Sequence, residues 1–291
     1  MRLRVKTGKV TNLSQIPGVA ELIRAAAPDL DSSGYMQCDS RIDVHAELPN
    51  YWALYRGKTL LSLITLFSPR KKEVELSAIT HPEFRRLGYF NRLFILVVKT
   101  LRTFSYESIL FVTSNSVPCD FDLPAELGLT IEFSEYLLVY DKKRSPISTP
   151  DRSDLTLRRA ESKDRDMLIA MNATVFPEDA ENTEHIIDST LNDESKDMYI
   201  LYEGETPIGT CATGIDEDIF LYSLGIRPSM QGRGYGKLLI NRMVTMLEDR
   251  DQRILLEADS ENSSALRLYQ NNGFSISLES NYYRLPIEEV R

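Results

Sequence analysis

Apolar residues along this chain follow two rhythms, the short runs of strands and the three-and-four spacing of helices. Met198–Tyr202 and Ile208–Ala212 read as strands joined by Glu203-Gly204-Glu205-Thr206-Pro207, where a Glu-Gly pair and a nearby proline fit a turn. Ile219–Ile226 is a further strand, and Pro228 stops its pairing. Lys237–Leu247 repeats its apolar positions at helical spacing and is expected to be amphipathic. Ile254–Leu256 is a short buried strand, and Ser263–Asn271 is a helix closed by Gly273. Alternating strands and helices make an α/β chain.

The same pattern is written twice. Tyr51–Gly57 parallels Met198–Gly204, at an offset of 204 − 57 = 147. His81–Tyr89 parallels Arg227–Tyr235, at 234 − 88 = 146. Asn115 and Asn262 differ by 147, and Gly128 and Gly273 by 145. A nearly constant offset over separated landmarks indicates two copies of one domain of about 140 residues. Lys142–Ser153 is polar, carries Pro146 and Pro150, and lies between strand-like runs at Tyr136–Tyr140 and Leu155–Leu157. The expected division is 1–144, a linker at 145–153, and 154–291.

Composition narrows the class. Of 291 residues 42% are apolar, enough for packed cores and against a disordered chain. No run approaches the roughly 18 apolar residues of a membrane span, and no apolar segment follows Met1–Lys6 as in a secretory signal. Cys38, Cys119 and Cys211 form neither a disulfide framework nor a CxxC site and suit a reducing cytoplasm, the expected location. His45, His81 and His185 lack metal-ligand spacing, and Trp52 reads as core. A net charge of −9 argues against a nucleic-acid binder. Residues 1–145 hold 19 basic and 16 acidic side chains, 19 − 16 = +3, and the remainder 15 and 27, 15 − 27 = −12. The acid excess therefore belongs to the second copy.

Gln231-Gly232-Arg233-Gly234-Tyr235-Gly236-Lys237 joins a strand to a helix. Alternating glycines permit positive φ and close backbone approach. The loop and first helical turn then aim their N–H groups at one point, which favours an anion such as a pyrophosphate. Arg233 and Lys237 add positive charge. A P-loop is excluded because Leu238 replaces the Ser or Thr and Gln231 the first Gly, and a dinucleotide fingerprint fails at Lys237.

The segment Gln231-x-x-Gly234-x-Gly236 resembles the Q/R-x-x-G-x-G/A signature of the GCN5-related N-acetyltransferase (GNAT) family. Leu224–Pro228 resembles the end of that family's fourth strand, and Asn262–Phe274 its motif N-x-x-A-x-x-L-Y-x-x-x-G-F. The likeness covers the second half and, more weakly, the first. It implies two tandem domains, each a mixed, mainly antiparallel twisted sheet flanked by helices. It also implies direct acetyl transfer from acetyl-CoA to a primary amine, with a cationic small molecule or peptide amine as the expected acceptor, without a metal. The loop from Gln231 to Lys237 would hold the pyrophosphate, with Gly232, Arg233, Gly234, Tyr235 and Gly236 inside it. The fourth strand, splayed from the fifth at a bulge, would offer the backbone of Leu224 and Ile226 to the pantetheine arm, and Asn262 would bond that arm unless it only caps its helix. Tyr269 would be the general acid and Glu257 the base. Asp216, Glu217, Asp218 and Tyr222 are further base candidates. Phe176-Pro177-Glu178-Asp179-Ala180-Glu181 would meet the acceptor.

The first copy departs from the signature. Phe90 stands where Gly or Ala is usual and is expected to crowd the loop, and counting back from Gly128 puts Pro124 in the place of Tyr269. A degenerate first domain without the acid is expected. The competing expectation for the chain is a non-catalytic module that senses acyl-CoA or binds a partner. Intact Tyr269 argues against it.

Overall fold

A computed structural model describes residues 2–28, 36–114, 127–143, 154–177, 180 and 182–290. The expected linker, Asn115, Cys119, Pro124, Glu178, Asp179 and Glu181 lie outside these residues. The strands are β1 (Leu3–Gly8), β2 (Tyr51–Arg56), β3 (Thr59–Phe67), β4 (Glu73–Thr80), β5 (Ser108–Ser114), β6 (Phe133–Tyr140), β7 (Leu155–Arg159), β8 (Lys196–Glu203), β9 (Thr206–Ile215), β10 (Ile219–Ile226), β11 (Ile254–Asp259) and β12 (Phe274–Pro286). The helices are α1 (Val19–Ala26), α2 (Tyr89–Thr103), α3 (Arg165–Val175), α4 (Thr183–Leu191), α5 (Tyr235–Leu247) and α6 (Ser263–Asn271). None of the described helices is long and apolar enough to cross a membrane.

Contacts divide the chain into two compact units, Met1–Glu135 with Leu278–Arg291, and Tyr136–Ser277. In the first, β1 to β4 pair antiparallel in sequence order and β4 runs parallel to β5. The end of β12 completes this sheet, pairing antiparallel with β5 from Ser280↔Ser114 to Pro286↔Ser108. Residues 278–291, expected in the second copy, thus belong with the first. Leu285 and Ile287 fill its core beside Leu93, Val97 and Ile109. Arg284 fixes the strand by pairing with Glu132 at 2.7 Å, with the Ser108 hydroxyl at 2.9 Å, and with Glu73.

The second unit orders its strands β6-β11-β10-β9-β8-β7, with β10 and β11 parallel and β7 to β10 antiparallel. Helices cover both faces. Leu168 and Met171 of α3 and Ile187 of α4 pack on Met198, Ile200 and Ala212. Leu239 and Met243 of α5 and Tyr269 of α6 pack with Cys211, Leu221 and Leu256. Alternation along the strands supplies both layers with apolar side chains. The strands expected around residues 200, 210, 222 and 255 are all present, most of them longer than read. Helix α5 starts at Tyr235 because Gly234, at φ +81°, turns the chain into it.

Candidate active site

Strands β10 and β11 pair only from Ile219↔Ile254 to Leu221↔Leu256, although β10 continues to Ile226 and β11 to Asp259. Beyond Leu221 they separate. On its other edge β10 pairs Tyr222 with Ala212 and then Gly225 with Thr210, so Ser223 and Leu224 together oppose Cys211. This is a β-bulge, with Ser223 at φ +48°. The expected splay and bulge are both present, and Leu224 lies in the bulge.

The offset between the copies falls by two across the hairpin from β3 to β4 and from β9 to β10, 76 − 66 = 10 against 221 − 213 = 8, and the bulge restores one residue. By register Leu66 pairs with Leu76 where Thr213 pairs with Leu221, and Ser62 with Thr80 where Gly209 pairs with Ile226. The β3–β9 offset stays at 213 − 66 = 209 − 62 = 147, while the β4–β10 offset rises from 221 − 76 = 145 to 226 − 80 = 146. The added residue is the bulge.

Beyond β10, a 3-10 turn at Pro228–Met230 leads into the glycine loop. Gly232 and Gly234 have φ of +75° and +81°, and a Cβ on either would have no heavy atom within 4 Å. The first N–H bonded within α5 is that of Leu238, to Gly234 at 3.2 Å, so the N–H groups of Tyr235, Gly236 and Lys237 precede the helical ladder. Arg233 and Lys237 are exposed. Gly236 lets α5 approach α6, since its Cβ would lie 3.3 Å from Leu268 Cδ2.

Two loop side chains have partners within the protein. Gln231 donates to the Ile226 carbonyl at 3.0 Å. Tyr235 is buried and donates its hydroxyl to Glu203, so it offers a ligand only its backbone. Asn262 caps α6, accepting from Ala265 N at 3.1 Å and the Ser264 hydroxyl at 2.9 Å.

Tyr269 is 7% exposed and packs against Phe274, with ring centroids 6.1 Å apart. Burial, with a smaller contribution from the neighbouring Cys211 thiol, pushes its hydroxyl pKa well above the usual phenol value. The proton therefore stays on at neutral pH. Glu257 lies on β11 just past the last β10–β11 pair and is partly buried. Its neighbours Leu256 and Ala258 face the α5–α6 layer, so alternation turns Glu257 to the α3–α4 face. Tyr222 packs on that face too, its hydroxyl 3.0 Å from the Thr190 hydroxyl.

Asp218 is held by Arg253 at 2.6 and 2.8 Å, at the end of β10 where β10 and β11 are still paired. The Asp216–Asp218 hairpin therefore sits away from the opening, and these acids serve the turn. Sequence reasoning passed over Gly225, where a Cβ would lie 2.2 Å from Val175 Cγ1 and 2.9 Å from Phe176 Cζ. An isolated glycine inside a strand pattern is the signal that marks such a place.

The first unit repeats the loop in backbone detail. Arg86 and Gly88, in place of Gly232 and Gly234, have φ of +59° and +75°. Phe90 turns inward, buried and stacked on Phe94 at 5.4 Å, so it fills the core and leaves the loop uncrowded. The last β4–β5 pair is Leu76↔Phe111, so Val112 holds the place of Glu257. Strand β4 pairs with β3 without a bulge.

The family model described as Acetyltransferase (GNAT) family matches residues 165–274, all within the second unit. The ribosomal protein bS18 alanine N-acetyltransferase of Haemophilus influenzae is 33% identical over 103 residues, covering 33% of this chain and 70% of that protein. The chain belongs to the acetyltransferase (GNAT) family. It is an acyltransferase of GNAT type, a family that uses acetyl-CoA as cosubstrate. The mycothiol acetyltransferase of Thermobispora bispora is 24% identical over 243 residues, covering 76% of this GNAT chain and 79% of that one. A solved tandem GNAT protein from the clavulanic acid biosynthesis pathway shares the fold at a TM-score of 0.69 and 12% identity, covering 98% of this chain and 99% of that one.

Proposed function

We propose that the second unit transfers the acetyl group of acetyl-CoA directly to a primary amine, and that the first unit holds no working copy of this site. The opening between β10 and β11, bulged at Ser223–Leu224 and continued by the glycine loop, carries the reading. A pyrophosphate fits the open space at the glycine loop, where the N–H groups of the first helical turn precede the ladder, beside Arg233 and Lys237. Beyond Leu221 the edge of β10 that faced β11 has left that strand, and an amide-bearing arm can pair with the backbone there, at the bulge that holds Leu224.

When bound, acetyl-CoA supplies a thioester whose carbonyl carbon bonds the amine nitrogen as the C–S bond breaks. Glu257, on the α3–α4 face, takes the proton that an ammonium acceptor must lose. Tyr269, in the layer on the opposite face, gives its proton to the departing sulfur. Asn262 keeps α6, and with it Tyr269, in place. An acceptor arriving from the α3–α4 side meets a half-chain of net charge −12, which favours a cationic amine. The two relatives are named for different acceptors, a ribosomal protein alanine and mycothiol, and a peptide amine and a small-molecule amine are both tested.

Thiol release from acetyl-CoA, followed with a panel of peptides, polyamines and small amines, tests the proposal. Turnover with a cationic amine is expected. Tight CoA binding with no turnover on any amine would favour a sensing module instead.

A further inference from the structure

Thr210 lies outside every motif of the glycine loop and of α6, and it is fully buried on β9. A hydroxyl so placed needs a partner. It donates to the Ser223 carbonyl at 3.1 Å. Ser223 stands in the bulge at φ +48°, where the regular register is broken, so the Thr210 hydroxyl holds a carbonyl inside the bulge. The strand partner of Thr210 is Gly225, the residue that readmits β10 to the ladder and leaves room for Val175 and Phe176 against the strand.

The first unit provides the comparison within the same chain. By register Leu63↔Ile79 occupies the place of Thr210↔Gly225. Both side chains are apolar and buried, at 0% and 5% exposure. Leucine has no hydroxyl to hold a displaced carbonyl, and here β4 follows β3 from Ser62↔Thr80 to Phe67↔Glu75 without a break. The copy with the threonine is bulged and the copy with the leucine is regular.

We infer that Thr210 is a positioning residue for acetyl transfer: its hydroxyl holds the Ser223 bulge in the form that presents the β10 backbone to the arm of the acyl donor. The inference rests on the proposal that this arm runs along β10. It gives Thr210 no contact with the reacting atoms, so it acts through Ser223.

The test compares Thr210→Val, which keeps the shape and removes the hydroxyl, with Thr210→Ser, which keeps the hydroxyl. CoA affinity, KM for acetyl-CoA, kcat and Tm are measured on the full chain. Thr210→Val is expected to raise the CoA Kd and the KM for acetyl-CoA roughly tenfold, with a smaller fall in kcat, and Thr210→Ser to stay within about twofold of wild type. Thr210→Ala, which adds no branched methyl, repeats the comparison should the valine variant not fold. A lower Tm with Kd and KM unchanged would make Thr210 purely structural and overturn the inference. Wild-type protein that binds CoA with an affinity indifferent to Gly234→Val would overturn the underlying proposal as well, which separates the two failures.

Discussion

The Gln231 side chain donates to the Ile226 carbonyl at 3.0 Å, tying the glycine loop back to the end of β10. Arg85 makes the same bond to Thr80 at 3.1 Å in the first unit, at the same offset, 231 − 85 = 226 − 80 = 146. A residue kept at this task in a copy without the bulge and without Glu257 is there to shape the loop. Gln231→Arg should therefore preserve CoA affinity. Gln231→Leu, which removes the donor and leaves the carbonyl with one partner fewer, should lose about 1 kcal/mol of stability and raise KM for acetyl-CoA more than it lowers kcat. Steady-state kinetics on both variants check this, and a Gln231→Arg variant as weak as Gln231→Leu would count against it.

Removing the two proton carriers should separate chemistry from binding. Tyr269→Phe keeps the ring in its core and deletes the proton, so kcat is expected to fall by about 10²–10⁴ with CoA affinity nearly unchanged. Glu257→Gln should lower kcat by a similar factor, with its loss concentrated at the step that frees the amine. An undiminished rate in either variant would move that role to another group, Tyr222 being the nearest alternative for the base.

Gly225 tests the packing that backs the bulge. Any Cβ there would lie 2.2 Å from Val175 Cγ1. Gly225→Ala should cost about 1–3 kcal/mol and displace the end of α3, lowering both Tm and turnover. Unaltered melting would mean that α3 moves aside freely.

Acid stability has a local source at Asp164. Its carboxylate accepts from Arg158 at 2.7 and 2.8 Å and from the Glu161 N–H at 2.8 Å. These bonds, the Arg158 guanidinium first, hold its pKa near 2, against an ordinary value of 3.8. A lowered folded-state pKa stabilises the fold above the unfolded value and loses that effect as pH falls through the folded one. The stability gap between wild type and Asp164→Asn should be constant above about pH 4 and shrink between about 4 and 2. Denaturant melts across that range measure it, and a gap independent of pH would contradict the assignment.

The sequence carried the fold class because strand and helix periods in each copy agree with the final elements. It carried the site region because Gly234 is needed for its positive φ and Gly236 for the close approach of α6, needs that leave a mark in any sequence. It did not show the path of β12, whose end crosses to β5, since pairing between residues such as Arg284 and Leu110 has no local signature. A signature also does not say whether a residue serves through side chain or backbone, and the bonds of the Gln231 and Tyr235 side chains to Ile226 and Glu203 left no mark in it. The bulge was hidden in the repeat offset because the hairpin before it is two residues shorter in the second copy, and register was needed to place it at Ser223.

The central claim is that one unit of the two holds the acyl donor. Calorimetric titration of the full chain with CoA, beside Gly234→Val, tests it most directly. At φ +81° a branched side chain strains the loop and projects into the space proposed for the pyrophosphate. One CoA per chain, with affinity reduced at least about tenfold by Gly234→Val, is the predicted result. Two equivalents per chain, or an affinity that ignores the substitution, would contradict it.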